Sequence, residues 1–361
     1  MNERQGSTTT MHAATHMPAE WEKHEATWIS WPANVTDWPG KFAPIPWVFG
    51  EMARKITPGE ILRIIVNDAA HEGKARRVLE RAGVDLAQVA FFRFPTNRGW
   101  TRDMGPMFVC DERGATSVLR FRFSAWAKYP DWKKDDGVPP RAAQKLKKPL
   151  VTVKHQGREV VLEGGSIDVN GKGTLLTTEE CLLHPTVQVR NPGFRRAEYE
   201  DVFRAHLGVE QVIWLGDGIA GDDTHGHVDD LCRFVNDRTV VLVDEKDPKD
   251  PNHHISRENF ERLQGARLAD GSRPEVVLLP MPAPLIFDGQ RVPASYANFY
   301  IANAAVIVPT FNDPNDRIAL GTLSELFTDR PVVGIHAVDL VWGLGTLHCL
   351  TQQQPLSRSE E

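Results

Sequence analysis

VVLEGGSIDVNGKGTLLTT, residues 160–178, is the stretch on which the fold turns. Its apolar residues fall in two short runs, 160–169 and 174–178, rich in Val, Ile, Leu and Thr and separated by glycines. Runs of that length and composition predict strands. The next pattern, FRRAEYEDVFRAHLG (194–208), has helical spacing and ends in the glycine that commonly stops a helix. QVIWL (211–215) predicts a strand again. The order is strands, helix, strand.

The same order extends in both directions. Upstream, strands are expected at 26–31, 61–66, 89–94, 106–110 and 117–123, with helices at 49–56 and 70–83. Downstream, strands are expected at 230–235, 239–243, 275–280, 297–303, 304–309, 331–335 and around Cys349, with helices at 254–268 and 316–327. A few strands followed by a helix recur about five times. This is an α/β chain without strict βαβ alternation, so a doubly wound sheet fits poorly and a radial or repeated mixed architecture fits better. No repeat is visible residue by residue. Residues 124–160, charged and proline-rich, predict a poorly ordered surface excursion or a lid. Residues 1–16 predict a flexible arm, and 17–361 a single catalytic domain.

Bulk properties exclude several classes. No apolar run reaches the roughly 20 residues of a membrane helix, and the polar N-terminus has no signal-like apolar core. A cytoplasmic enzyme is expected. The net charge of −6 argues against a nucleic-acid partner. The four cysteines, Cys110, Cys181, Cys232 and Cys349, lack zinc-like spacing and predict reduced thiols.

Five stretches carry candidate chemistry. NRGWTRDMGPMFV (97–109) sets an Arg-Asp pair beside Trp100; alone it reads as a polar turn. LEGGSIDV (162–169) places Glu163 inside an apolar strand, which is costly unless the carboxylate is paired. GIAGDDTHGHVDDLCRFV (218–235) packs Asp222, Asp223, His225, His227, Asp229 and Asp230 together. If a strand begins there, His227 and Asp229 share a face, an arrangement suited to proton transfer or to metal binding. SYANFYIAN (295–303) reads as core packing. GLGTLHCLTQQQP (343–355) delivers Cys349 on a loop freed by Gly343 and Gly345. A cysteine nucleophile needs its thiolate, and a free thiol has a pKa near 8.5. His348 is a weak partner by alternation; His227 is the better one. Carboxylates around a thiolate raise its pKa, which makes sense if the substrate supplies the cation. A planar guanidinium, held at its edges by carboxylates, would present its carbon to sulfur.

From MPAEWEKHEATWISWP (17–32) to LHCLTQQQP (347–355), the chain resembles the agmatine deiminase family of guanidino-modifying penteins. The resemblance implies a five-bladed α/β propeller around a central pocket. It implies Cys349 as nucleophile, His227 as acid and base, and Asp103 and Asp229 as guanidinium-binding carboxylates. Glu163 would orient His227, Asp223 would face the distal amine and Trp100 would wall the pocket. It implies a covalent thiouronium route from agmatine to N-carbamoylputrescine and ammonia, with no cofactor and no metal. The partner is a small cationic guanidine, and a homodimer is among the assemblies to test. Arg98, Met104, His225, Leu344 and Thr346 depart from the family pattern around the expected substrate tail. Competing readings are a deiminase of another guanidine or of peptidyl-arginine, a metal-dependent hydrolase built on His225, His227 and Asp229, and an inactive binding protein.

Overall fold

The computed structural model describes residues 15–357. The expected arm lies outside the described residues except at its end, where His16 bridges Cys110.

Among the described residues, one arrangement recurs in five sheets of three or four strands. In the sheet containing the opening stretch, β7 (Asp168–Val169) pairs antiparallel with β8 (Thr174–Thr178), helix α4 (Arg196–Leu207) crosses over, and β9 (Gln211–Leu215) returns parallel to β8. Short turns can join antiparallel strands, but a parallel return needs a long crossover, which the helix supplies. The same plan holds for β4 (Met107–Cys110), β5 (Thr116–Arg120), α3 (Val138–Leu146) and β6 (Leu150–Thr152). It holds for β10 (Cys232–Phe234), β11 (Thr239–Asp244), α5 (Pro251–Gly265) and β12 (Glu275–Pro280). It holds again for β13 (Tyr300–Ile301), β14 (Val306–Thr310), α6 (Asn315–Leu326) and β15 (Val332–His336).

The remaining sheet joins the two ends of the chain. Strand β1 (His24–Ser30) runs parallel to β2 (Ile61–Val66) after α1 (Ile45–Ile56), and β2 runs parallel to β3 (Val89–Arg93) after α2 (Ala69–Arg81). Its antiparallel strand is β16 (Thr351–Pro355), from the far end of the sequence. Gln352, Gln353 and Gln354 in β16 are buried. Their amides are used there: Gln354 Oε1 accepts from Trp28 Nε1 at 3.0 Å, and Gln353 Oε1 accepts from Arg102 Nη1 at 2.7 Å.

Local chemistry sets the helix ends. Asp250 caps α5 by accepting from Asn252 N, and Pro251 follows at the first helical position. Helix α4 stops at Gly208, whose φ of 68° is left-handed. No described helix is long and apolar enough to cross a membrane.

The structure corrects several expectations. Residues 124–160 are ordered: they hold a short helix at Lys133–Asp136, then α3 and β6. The prolines that suggested an irregular excursion sit in the first turn of α3, where proline is tolerated. The strand expected over 160–169 survives only as β7, because Gly164–Ser166 form a 3-10 turn. The strand expected over 297–303 is reduced to β13. Cys349 lies in a turn, and the strand begins at Thr351.

Candidate active site

Loops between the sheets meet at one buried floor. Asp103 comes from the short helix Thr101–Met104, His227 and Asp229 from the start of the 3-10 turn Val228–Asp230, and Cys349 from the turn before β16. Glu163 directly precedes the glycine turn at Gly164. The alternation argument for His227 and Asp229 fails, since no strand begins before Cys232. Both still reach the floor, His227 from the residue that leads into the turn and Asp229 from within it.

Gly165 marks the convergence. A Cβ there would stand 2.6 Å from His227 Nδ1, 2.9 Å from Asp103 Oδ1 and 3.0 Å from Asp229 Oδ2. Only a residue without a side chain fits. Gly345 plays the same part behind the cysteine, where a Cβ would lie 2.8 Å from Trp100 and 3.1 Å from Cys349 Sγ. Neither Gly343 nor Gly345 has a left-handed backbone; what they allow is close approach. The left-handed residue of this loop is Leu344, at φ 69°.

His227 is buried between carboxylates, with Nδ1 3.7 Å from Asp103 and Nε2 3.6 Å from Glu163. Burial alone would lower its pKa, but the Asp103 charge and the contacts with Cys181 and Glu163 outweigh burial and hold the imidazole well above its usual range. Glu163 is backed by Arg190, whose Nε donates to both oxygens at 3.2–3.3 Å. Burial pushes the Glu163 carboxyl up, yet Arg190 and His227 bring it below its ordinary value.

Asp103 Oδ2 accepts from Trp126 Nε1 at 2.7 Å, and Oδ1 from Gly165 N at 3.0 Å. Burial raises its carboxyl to about 6, with His227 opposing and Asp229 and Glu163 adding to the rise. Asp229 Oδ2 bonds His348 Nδ1 at 2.6 Å, while Glu20 Oε2 bonds the other ring nitrogen at 2.8 Å. Against burial, His348, His227 and Arg233 hold Asp229 below its ordinary value. Glu20 also accepts from Arg102, Arg233 and the Ile301 amide. A buried ion network therefore fixes Asp229 from behind.

Cys349 Sγ lies 3.1 Å from Asn298 Nδ2 and 3.7 Å from Asp229 Oδ2. Burial, then Asp229, Asp230 and Asp103, drive its thiol well above the usual value, and Asn298 opposes weakly. Asp229 Oδ1 and both ring nitrogens of His227 have no hydrogen-bond partner although buried. Buried carboxylates beside a thiol, with acceptor atoms left over, make a receptor for a planar cation with several N–H donors.

A pocket opens from this floor past Trp100, Trp126 and Leu344 toward Tyr129 and the partly exposed Asp223, with Asp37 and Arg98 also in its lining. Trp100 packs on Trp38, with ring centroids 5.4 Å apart. The expected residues Asp103, Trp100, Asp223 and Cys349 all line it, and His227, Glu163 and Asp229 lie against its floor.

Of the departures from the family pattern, Arg98 and Leu344 line the pocket. Thr346 instead donates to Asn298 Oδ1 at 2.7 Å. His225 turns away to the Glu180 carbonyl at 3.1 Å and to the His184 ring at 4.8 Å. A metal centre on His225, His227 and Asp229 is therefore not assembled; among the described residues, His227 groups with Glu163 and Cys181, and Asp229 with Asp230 and Cys349.

Sequence reasoning missed Trp126, Asn298, His348, Glu20 and Arg190. An amide between the aromatic residues of SYANFYIAN was a signal for Asn298. Nothing local announced Trp126, which reaches Asp103 from a run of three left-handed residues, Ala125 to Ala127, at φ 47°, 58° and 52°.

Frame and floor together define an α/β protein with a buried cysteine, histidine and carboxylate centre. The sequence profile of the Porphyromonas-type peptidyl-arginine deiminases matches residues 16–355, and the chain belongs to that family. It is 36% identical to the agmatine deiminase of Stutzerimonas stutzeri, over 94% of this chain and 95% of that one. It is 35% identical to the agmatine deiminase of Pseudomonas aeruginosa, over 95% and 96%. Its fold matches the agmatine deiminase of Enterococcus faecalis with a TM-score of 0.86 at 31% identity, over 95% and 96% of the two chains. It matches a cysteine-to-serine C. jejuni agmatine deiminase with substrate bound at 0.84 and 28%, over 98% and 99%.

Proposed function

We infer that this protein is an agmatine deiminase, converting agmatine and water into N-carbamoylputrescine and ammonia. The observation that carries the reading is the pair of buried carboxylates, Asp103 and Asp229, beside the Cys349 thiol, with Asp229 Oδ1 unpartnered. The relatives named agmatine deiminase support the substrate.

The chemistry follows from the charges. An empty floor keeps Cys349 protonated, because the carboxylates around it oppose a second negative charge. A guanidinium between Asp103 and Asp229 neutralises that field, and the thiol can release its proton to solvent. Sulfur then attacks the guanidinium carbon. Imidazolium is the favoured form of His227, so it can protonate the departing nitrogen. The C–N bond breaks, ammonia leaves and a thiouronium remains on sulfur. Neutral His227 then takes a proton from water. The hydroxyl attacks the same carbon, the C–S bond breaks as the hydroxyl proton passes to the departing sulfur, and the ureido product and the thiol separate. Glu163, charged by Arg190, steadies the imidazolium.

We also read the five sheets as five blades around this site, which the convergence of loops from separate sheets on one floor supports.

The test is release of ammonia and ureido product from agmatine, arginine and an arginyl peptide, by wild type and Cys349→Ala. Turnover of agmatine by wild type, lost in the variant by at least about a thousandfold, is expected. Turnover of the peptide alone would move the protein to the activity in its family's name.

A further inference from the structure

The pocket mouth is neutralised before any substrate arrives. Asp223, the carboxylate placed to meet a distal amine, accepts from Tyr129 Oη at 2.8 Å and is ion-paired with Lys128. Asp37, a buried carboxylate that also lines the pocket, holds Arg98 Nη1 at 2.7 Å. The Arg98 guanidinium lies 4.0 Å from the Tyr129 ring centre, and the Lys128 ammonium lies 5.6 Å from it. Two protein cations therefore flank the tyrosine that bonds Asp223.

We propose that Lys128 is a specificity-determining residue: its ammonium competes electrostatically with a substrate's distal ammonium for Asp223. The proposal rests on the deiminase reading, which fixes the guanidinium at the floor and sends the other end of the substrate to the mouth.

Backbone geometry makes Lys128 more than a surface lysine that happens to be near. It directly follows the left-handed run Ala125 to Ala127, whose central Trp126 is anchored on Asp103. One segment thus carries the Trp126 donor to the floor and, two residues on, the lysine paired with Asp223. Lys128 is 40% exposed and Asp223 16%, so the pair is half-wet: Lys128 can yield, at a cost that a dicationic substrate must meet and a tail without charge need not.

Agmatine and pentylguanidine separate these cases. They share the guanidinium and chain length, but the second ends in methyl where the first has ammonium. With the full-length enzyme, Lys128→Met should raise the ratio of kcat/KM for agmatine over that for pentylguanidine about two- to fivefold, the scale of a partly exposed charge pair. The change should come through KM for agmatine, and added salt should shrink the difference between wild type and variant. An unchanged ratio, or both substrates moving together, would overturn the proposal. A wild type that turns over neither guanidine would sink the deiminase reading instead. Calorimetric binding of the same two compounds to Cys349→Ala, with and without Lys128→Met, would still decide the role of Lys128: a shift confined to agmatine supports it, and parallel affinities refute it.

Discussion

Asp103 is held in its charged form by His227 first and, to a smaller extent, by the Trp126 indole. With its carboxyl at about 6 because of burial, it is ionised at neutral pH only by a modest margin. Binding of a guanidinium needs that charge, so kcat/KM should fall as pH drops through about 6. The Trp126 hydrogen bond is one of the contacts that lower this pKa. Trp126→Phe keeps an aromatic wall and removes the donor, so the pKa must rise and the acid limb must move to higher pH. A shift of about one pH unit corresponds to roughly 1.4 kcal/mol, within the range of a hydrogen bond to a charged group. The pH profile of kcat/KM reports free-enzyme groups and checks this directly. A limb that stays in place would show that Asp103 does not set it. The residues of the floor were legible in the sequence to the extent that they are unusual: a carboxylate in an apolar run, two histidines in a glycine-flanked acidic loop, and a cysteine near the end. Trp126 and His348 were not, because their partners Asp103, Asp229 and Glu20 come from distant parts of the chain.

At the scale of elements, the site depends on turns that end strands early. Glu163 was read inside a strand; the two glycines after it instead let the chain bend so that His227 and Asp103 press against Gly165. Gly165→Ala would force a methyl to within 2.6 Å of the imidazole. The turn itself needs no left-handed backbone at Gly165, so folding should persist while the floor spreads. Loss of about a hundredfold or more in kcat is expected, since ångström-scale misplacement of catalytic groups costs that much. Near-native thermal unfolding with collapsed turnover would support this, and near-native kcat would contradict it. Strands with continuous β-branched runs, such as β2, β8, β9 and β12, were legible with their bounds. Helix α3 was not, because its prolines and flanking charges read as an irregular surface excursion when the prolines in fact start the helix. Strand β16 was half visible: its buried glutamines mimic a surface strand until their partners Trp28 and Arg102 are known.

For the whole molecule, the repeated order of strands, helix and strand was readable from hydrophobic periodicity alone. The meeting of its loops at one floor was not, since no local pattern encodes which loop faces which. The first and last strands lie side by side, so Glu20 near one end and His348 near the other share a hydrogen bond behind Asp229. The central claim is that this convergence turns Cys349 into a nucleophile only when a guanidinium lies on the carboxylates. Acid quenching of the enzyme within its first turnover of agmatine, followed by peptide mass analysis, tests that claim most directly. The account predicts that the peptide carrying Cys349 gains the mass of agmatine less one ammonia, and that the gain vanishes once agmatine is exhausted. Continued turnover with no such adduct, or an adduct on Cys110, Cys181 or Cys232 instead, would contradict it.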